Sequence, residues 1–230
     1  MLKQLVKKTP VVRTIARAIL KMVAARNQDS FVSGDYWEER YKAQGNSGAG
    51  SYNRLAYYKA ERLNAFVTEN AIQSVIEFGS GDGAQLRLAE YPSYIGVDVS
   101  TTAIELTKKS FASDPTKTFL HSSQMNSGVT AELALSLDVV YHLIEDSVFD
   151  SYLNQMFDAA TRFAIIYSSD TNEQSDAVHV KHRKFTDWVA ENRTDFKLIN
   201  VEKNRYPWDV GDPDNTSFAD FFFFERCNQV

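Results

Sequence analysis

The strongest chemical signal in the sequence is a glycine-rich stretch that directly follows a short apolar run. Residues 79–83 read GSGDG, and the apolar run VIEF precedes them at residues 75–78. Glycine tolerates the backbone angles of a tight strand-to-helix turn and lets a ligand approach the main chain closely. Asp98 ends the next apolar run, where a carboxylate can accept hydrogen bonds from both hydroxyls of a ribose. This spacing predicts a site for a nucleoside-containing ligand.

Two kinds of cofactor are compatible with the glycines. Gly79, Gly81 and Ala84 match the dinucleotide fingerprint, in which a helix N-terminus holds a pyrophosphate. Glu77 and Asp82, however, are carboxylates that would repel a pyrophosphate and would suit a cationic ligand such as S-adenosylmethionine (SAM). The sequence favours SAM, with an NAD(P)-binding oxidoreductase as the alternative. That alternative predicts a Tyr-x-x-x-Lys pair, which the sequence lacks, or a separate substrate domain, for which 230 residues are too few.

The elements that must position these residues alternate between strand and helix. Apolar runs near residues 75–78, 94–99, 117–120, 133–138 and 163–167 predict strands, and residues 84–90, 101–111, 148–160 and 185–191 predict helices. Residues 196–201 and 218–224 predict the last two strands, and the run of four Phe at 221–224 predicts a strand buried on both faces. We therefore expect an α/β fold with helices on both faces of a mostly parallel sheet.

Three motifs resemble those of the class I SAM-dependent methyltransferases. They are VIEFGSGDG at 75–83, YIGVDVS at 94–100 and LSLDVVYHLIED at 135–146. The resemblance implies a Rossmann-like sheet of seven strands with an antiparallel C-terminal strand, and SAM as the cofactor. This sequence departs from the family pattern after the third strand. Many members carry an acidic residue there, whereas residues 121–124 of this sequence read HSSQ. The cofactor-binding residues that it implies are Glu77, Gly79, Ser80, Gly81, Asp98, Val99, Ser123, Gln124 and Asp138.

Three further segments are similar to a bacterial subgroup associated with surface-polysaccharide biosynthesis. They are YWEERY at 36–41, NSGAGS at 46–51 and HVKHRKF at 179–185. This similarity implies transfer of a methyl group to a hydroxyl of a small-molecule or saccharide acceptor, such as a surface-glycan precursor. A non-catalytic adaptor that keeps the methyltransferase fold is a further alternative.

Histidines are the candidates for a general base. His142 follows the fourth strand, where open α/β sheets place their ligand crevice, and His179 and His182 lie in a polar loop after the fifth strand. An imidazole there could accept the proton of an acceptor hydroxyl, with Tyr141 and Arg183 binding substrate. The alternatives are a capping or core histidine at 142 and a solvated loop at 179–183. The His-x-x-His spacing alone does not make a metal site, and we predict none.

The segments before the sheet predict two accessory elements. Residues 11–26 have the spacing of an amphipathic helix, and residues 1–26 hold seven basic residues and no acidic one. We predict a basic extension over residues 1–34 that contacts a membrane surface or a partner enzyme, or that packs against the body or a second copy. The domain proper would span 35–230, with a lid over 35–69. The small-residue loop at 45–51 is either part of that lid or a plain linker.

Composition excludes several classes of protein. The net charge is −5 overall and −12 after residue 26, which argues against nucleic acid as a partner. The single cysteine, Cys227, cannot form an internal disulfide. Without a long apolar run or a signal peptide, the sequence predicts a cytoplasmic protein, peripheral to a membrane at most.

Overall fold

The computed structural model describes residues 31–175 and 177–227. Its α-helices are α1 (Ser33–Lys42), α2 (Asn53–Glu69), α3 (Thr101–Ser110), α4 (Asp146–Ala159) and α5 (Phe185–Asn192). Its strands are β1 (Val75–Phe78), β2 (Tyr94–Asp98), β3 (Lys117–His121), β4 (Ala131–Leu137), β5 (Ala160–Ser168), β6 (Phe196–Glu202) and β7 (Asp220–Arg226).

The strands form one sheet of seven in the order β3-β2-β1-β4-β5-β7-β6. β1 pairs in parallel with both β2 and β4, and β7 is antiparallel to both β5 and β6. The predicted mostly parallel sheet with an antiparallel final strand is confirmed. Because the chain moves outward from β1 to β3 and then returns to start β4, the strand order reverses between β1 and β4. Open α/β sheets hold ligands at such a reversal, beyond the carboxyl ends of the strands.

Helices cover both faces of the sheet, as predicted. On one face Leu63 of α2 and Ile104 of α3 belong to a core cluster with residues of the sheet. On the other face Leu153 of α4 and Phe185 of α5 belong to a second cluster. A strand covered on both faces needs an unbroken apolar sequence. The four Phe of β7 fulfil this prediction, because Phe221 and Phe223 join the first cluster and Phe222 and Phe224 join the second.

The helix predicted over residues 84–90 is wrong. The structure has a single 3-10 turn at Gln85–Leu88 instead. Pro92 disfavours a helical conformation at Tyr91, and the chain must already enter β2 at Tyr94. Only one helical turn fits between the glycine-rich stretch and that strand.

The predicted amphipathic helix at 11–26 lies outside the described residues, as does most of the predicted extension over 1–34. Within residues 31–175 and 177–227, no helix combines the length and the hydropathy that crossing a bilayer requires.

Candidate functional site

The glycine-rich stretch leaves β1 at the point where the strand order reverses. Phe78, the last residue of β1, pairs with Val97 of β2 and Ser136 of β4, so Gly79 emerges between the ends of those two strands. Gly79 has a φ of +80°, and a Cβ there would collide with the Val139 side chain. Only glycine combines this backbone conformation with such a close approach.

Asp98 holds the β2 side of the crevice. Its Oδ2 accepts a hydrogen bond of 2.8 Å from the Gly81 N–H, and its Oδ1 accepts one of 2.8 Å from the Ser100 N–H. The side chain is buried, and this burial raises the pKa of Asp98. The two main-chain donors orient the carboxylate toward the crevice, and each oxygen retains a lone pair for a further donor.

Glu77 lies below the glycine turn, within β1. Its Oε2 accepts a hydrogen bond of 2.8 Å from the Tyr94 hydroxyl. Burial raises the pKa of the Glu77 carboxyl to about 7, although Tyr94 and the Lys59 ammonium act in the opposite direction. Near neutral pH this carboxyl therefore changes charge within the site, and a bound cation would favour its ionised form.

On the β4 side, Asp138 forms a buried ion pair with Lys59 of α2. The Lys59 Nζ lies 2.6 Å from Asp138 Oδ2, and the lysine side chain is 1% exposed. The Tyr141 hydroxyl donates to Asp138 Oδ1 at 2.8 Å. Asp138 also has a φ of +61°, which is unusual for a residue with a side chain. Such strained residues cluster at functional sites, where the surrounding contacts enforce the conformation.

His142 stands beside this pair in the 3-10 turn Val140–His142. Its Nδ1 lies 2.7 Å from the carbonyl oxygen of His179, which can only accept, so Nδ1 carries the proton and Nε2 is the basic nitrogen. The imidazole stacks on the His179 ring at 5.4 Å and meets the Trp37 ring edge-on at 5.1 Å. Burial lowers the pKa of His142 to about 4. The ring is therefore neutral at physiological pH, not the unperturbed imidazole that the sequence suggested.

Residues 33–59 precede the sheet in the chain and form hydrogen bonds to both sides of the crevice. Glu38 of α1 accepts a hydrogen bond of 2.6 Å from the Ser100 hydroxyl, beyond β2. At the start of the same helix, the Ser33 hydroxyl donates to Glu145 Oε2 at 2.6 Å, beyond β4. Helix α1 thus bridges the two sides.

The loop that follows α1 binds the glycine-rich stretch directly. The Ser47 N–H donates to Asp82 Oδ2 at 2.9 Å, and the Asp82 N–H donates to Ser47 Oγ at 3.0 Å. The Tyr52 hydroxyl donates to the same Asp82 carboxylate at 2.8 Å. This loop therefore contributes to the wall of the site. Its further role as a lid stays a prediction.

These elements enclose a cavity of about 470 Å³, within the size range of small-molecule and cofactor sites. Ser80 and Gln85 are among the lining residues, and their Oγ and Oε1 atoms are buried without a hydrogen-bond partner among the residues that the structure describes. The predicted residues that line the cavity are Glu77, Gly79, Ser80, Gly81, Asp98, Val99, Ser123, Asp138 and His142.

Other predicted residues lie outside the cavity lining. Tyr141 is behind Asp138, and Gln124 is exposed, with its Oε1 accepting from the His121 N–H at 2.9 Å.

His182 Nδ1 bonds Ser169 Oγ at 2.7 Å. The His179 ring stacks between those of Tyr36 and His142. Arg183 bonds Asp146, at 2.7 Å, and the carbonyl oxygens of Leu143 and Ile144. The His179–Arg183 loop therefore braces the β4 side, and only His142 of the three predicted bases reaches the cavity wall.

Sequence reasoning missed Lys59, Gln85 and Trp37 of the lining. For Lys59 a signal was present, because Leu55, Lys59, Leu63 and Val67 recur every four residues and all four are buried. A lysine within an apolar helical stripe needs a buried partner. That partner, Asp138, is 79 residues away in the sequence.

The sequence matches no family model, and a search of curated proteins finds no match. Similarity is found among solved structures. Magnesium protoporphyrin IX methyltransferase from Synechocystis, determined with S-adenosylhomocysteine (SAH), has a TM-score of 0.58 at 13% identity, covering 76% of this chain and 85% of that one. The N-methyltransferase NodS from Bradyrhizobium japonicum, also with SAH, has a TM-score of 0.58 at 14% identity, covering 75% and 86%.

A SAM-dependent methyltransferase from Clostridium acetobutylicum has a TM-score of 0.54 at 10% identity, covering 73% of this chain and 90% of that one. The three proteins share the architecture of this chain at identities that establish only the fold. The chain therefore has the Rossmann-like fold of SAM-dependent methyltransferases.

Proposed function

We propose that this protein binds SAM in the cavity and transfers its methyl group to a hydroxyl of a small-molecule or saccharide acceptor. The observation that carries the proposal is that the glycine turn, Asp98 and His142 line one cavity at the reversal of strand order. A nucleoside-type subsite and a neutral imidazole thus meet in a single site.

The charges that line the cavity fit SAM. Glu77, Asp98 and Asp138 are carboxyl groups, and Lys59 is the cation among the described lining residues. A ligand with a sulfonium and an ammonium group is favoured by such a surface, whereas the pyrophosphate of NAD would be repelled by it. This contrast also supports a methyltransferase over the oxidoreductase alternative.

Individual residues have defined tasks in this proposal. Asp98 would accept hydrogen bonds from the ribose hydroxyls, and Val99 and Ser123 would contact the adenine. The bound cofactor supplies a methyl group on a positively charged sulfur. His142 would accept the proton of the acceptor hydroxyl at Nε2, because its Nδ1–H is held by the His179 carbonyl.

The nature of the acceptor is supported by an aromatic residue of the cavity lining and by the motif resemblance. Trp37 is a lining residue of the kind on which a sugar ring can pack, and the lining cation Lys59 is already paired with Asp138. These features suit an uncharged saccharide part better than an anionic one. We further propose that the basic residues 1–26 contact a membrane surface, where a glycan precursor would be assembled.

Calorimetry and a transfer assay test the proposal together. We expect SAM and SAH to bind the full chain and NAD not to bind. We then expect transfer of a labelled methyl group from SAM to a member of a panel of monosaccharides, glycosides and nucleotide sugars. Tight binding of NAD without binding of SAM would contradict the proposal. Binding of SAM without transfer to any compound containing a hydroxyl would favour the adaptor alternative.

A further inference from the structure

The two edges of the sheet differ in how they are protected against pairing with a further strand. β3 forms one edge and β6 the other. On β3, the Phe119 side chain is buried. Lys117 Nζ and His121 Nε2, at the two ends of this strand, bond main-chain carbonyl oxygens of the chain before and after β2. The β3 edge is thus short, polar at its ends and without an exposed large apolar residue.

The β6 edge lacks this protection. Residues 197–201 are all exposed. Three of them are large and apolar, because Leu198, Ile199 and Val201 are 39–44% exposed. Among the residues that the structure describes, β6 pairs with β7 alone, so its outer main-chain groups face no strand. An exposed apolar edge of this kind is a template for a further strand.

We propose that β6 pairs in antiparallel orientation with β6 of a second copy of this chain. A two-fold axis perpendicular to the sheet relates the two copies and joins their sheets into one. The proposal is independent of the proposed function.

A bulge in β6 places its apolar residues on one face. Leu198 pairs with Phe224 of β7 and Val201 pairs with Phe222, with a register shift between Leu198 and Asn200. Cross-strand partners share a face of the sheet, and Phe222 and Phe224 both belong to the second core cluster. Leu198 and Val201 therefore lie on the same face, whereas residues three apart in a regular strand lie on opposite faces.

The same register places two opposite charges on the other face. Lys197 pairs with Glu225 of β7, and Glu202 pairs with Phe221, which belongs to the first core cluster. Glu225 is four residues from Phe221 along β7 and shares its face. Lys197 and Glu202 therefore lie together on the face that α2 covers.

This pattern is complementary to itself. Antiparallel pairing centred between Ile199 and Asn200 puts Lys197 of each copy opposite Glu202 of the other. It also puts Leu198 opposite Val201, and the two-fold axis repeats both matches. The bulge of each strand then lies at the axis. Opposite charges and apolar residues that face each other across strands stabilise their pairing.

The charged groups are available for this contact. The Lys197 ammonium forms no ion pair among the residues that the structure describes. Glu202 Oε2 lies 2.8 Å from Arg62 Nη2, and Oε1 accepts from the Tyr58 hydroxyl at 3.2 Å. These contacts hold the carboxylate in place and leave lone pairs for a further donor. A lysine on an edge strand opposes pairing with most strands. Here it selects a partner with a carboxylate at the matching position.

The proposed pairing leaves both cavities open. β6 runs parallel to β1, because it is antiparallel to β7, which is antiparallel to β5 of the parallel part of the sheet. In the antiparallel pair, the carboxyl ends of the two sheets therefore point in opposite directions. Each copy keeps its crevice at its own end of the dimer.

Sedimentation of the full chain over a concentration series, up to about 1 mM, tests the proposal. One pair of strands buries less surface than a permanent dimer does, so we expect a weak dimer that forms reversibly as the concentration rises. Leu198→Asp should be monomeric where the wild type is dimeric. Val210→Asp is the matched control, because Val210 is 85% exposed and lies outside the strands. It should dimerise as the wild type does.

A charge exchange tests the register. Lys197→Glu and Glu202→Lys should each weaken the dimer by about tenfold or more, because like charges then face each other twice. An equimolar mixture of the two variants should dimerise again, since opposite charges meet at both positions of the mixed pair. Thermal unfolding checks that Glu202→Lys is folded without its contacts to Arg62 and Tyr58. If it is not, Leu198→Asp and Lys197→Glu carry the test.

Three results would overturn the proposal. A wild type that stays monomeric up to about 1 mM would leave this edge to a strand of another protein. A dimer that persists in Leu198→Asp and Lys197→Glu would place the interface elsewhere, for example in residues 1–26. A mixture of the two folded charge variants that stays monomeric would exclude the proposed register. Binding of SAM is measured separately, so the proposed function stands or fails on its own test.

Discussion

The two sides of the crevice are built in different ways. On the β2 side, the Asp98 carboxylate is held by main-chain N–H groups of Gly81 and Ser100, which are 17 and 2 residues away. On the β4 side, Asp138 is held by the side chain of Lys59, 79 residues away, and His142 by a carbonyl 37 residues away. The first side is a local motif, and the second is assembled from distant segments.

This difference predicts different consequences of mutation. A residue held by the main chain keeps its surroundings when its side chain changes, so its loss should affect ligand binding alone. A residue held by distant side chains is coupled to them, so its loss should affect either turnover or the arrangement of its partners. Four experiments test or refine this distinction.

His142→Ala should have the largest effect. We expect turnover to fall by about 10²–10⁴-fold, the usual consequence of losing a general base. The affinity for SAH should stay near the wild-type value, because His142 is proposed to act on the acceptor hydroxyl and not on the cofactor. Methyl transfer to the acceptor found by the screen gives the turnover, and calorimetry gives the affinity. A variant with full turnover would remove His142 from the reaction.

Asp98→Asn should weaken SAH binding by about ten- to 150-fold through loss of charged hydrogen bonds to the ribose. The main-chain N–H groups remain, so the glycine turn should keep its conformation and thermal unfolding should change little. Asp114→Asn, in which the altered carboxylate lies outside the cavity lining, is the control. Unchanged SAH affinity in Asp98→Asn would exclude the ribose contact.

Glu77 gives a pH dependence to the site. The pKa of its carboxyl is raised to about 7, so the free protein carries it mostly neutral at pH 6 and mostly ionised at pH 8. A cationic ligand binds the ionised form, and SAM affinity should therefore rise about tenfold over this interval. Titrations of Glu77→Gln should show a nearly flat profile, and an equally steep profile in that variant would assign the dependence to another group.

His182→Ala should have the smallest effect. Its imidazole bonds Ser169 and contacts Phe218 outside the cavity lining, so we expect turnover within about twofold of wild type. The same assay as for His142 measures it. A loss comparable to that of His142→Ala would mean that the loop at 179–183 reaches the acceptor, as the sequence alone suggested.

The sequence by itself determined the fold and the β2 side of the site. Alternating apolar runs predict the seven strands, and the glycines with Asp98 predict the crevice, because each signal lies within a few consecutive residues. A local pattern gives a wrong prediction where the path of the chain to the next element leaves too little room for it. Residues 84–90 have a helical pattern, but the short path to β2 and Pro92 leave room for one turn.

Only the tertiary structure decided which side chains meet on the β4 side. In the sequence, His142, His179 and His182 are equally good candidates for the general base. Among the three, only His142 lines the cavity, because Arg183 and the His179 carbonyl hold the loop at 179–183 against the outer side of the β4 wall. In the sequence, Lys59 is a lysine in an apolar helical stripe with no partner nearby. In the structure, the sheet positions Asp138 beside it. Such pairs join residues that are far apart in the chain, and their positions depend on the packing of whole helices against the sheet.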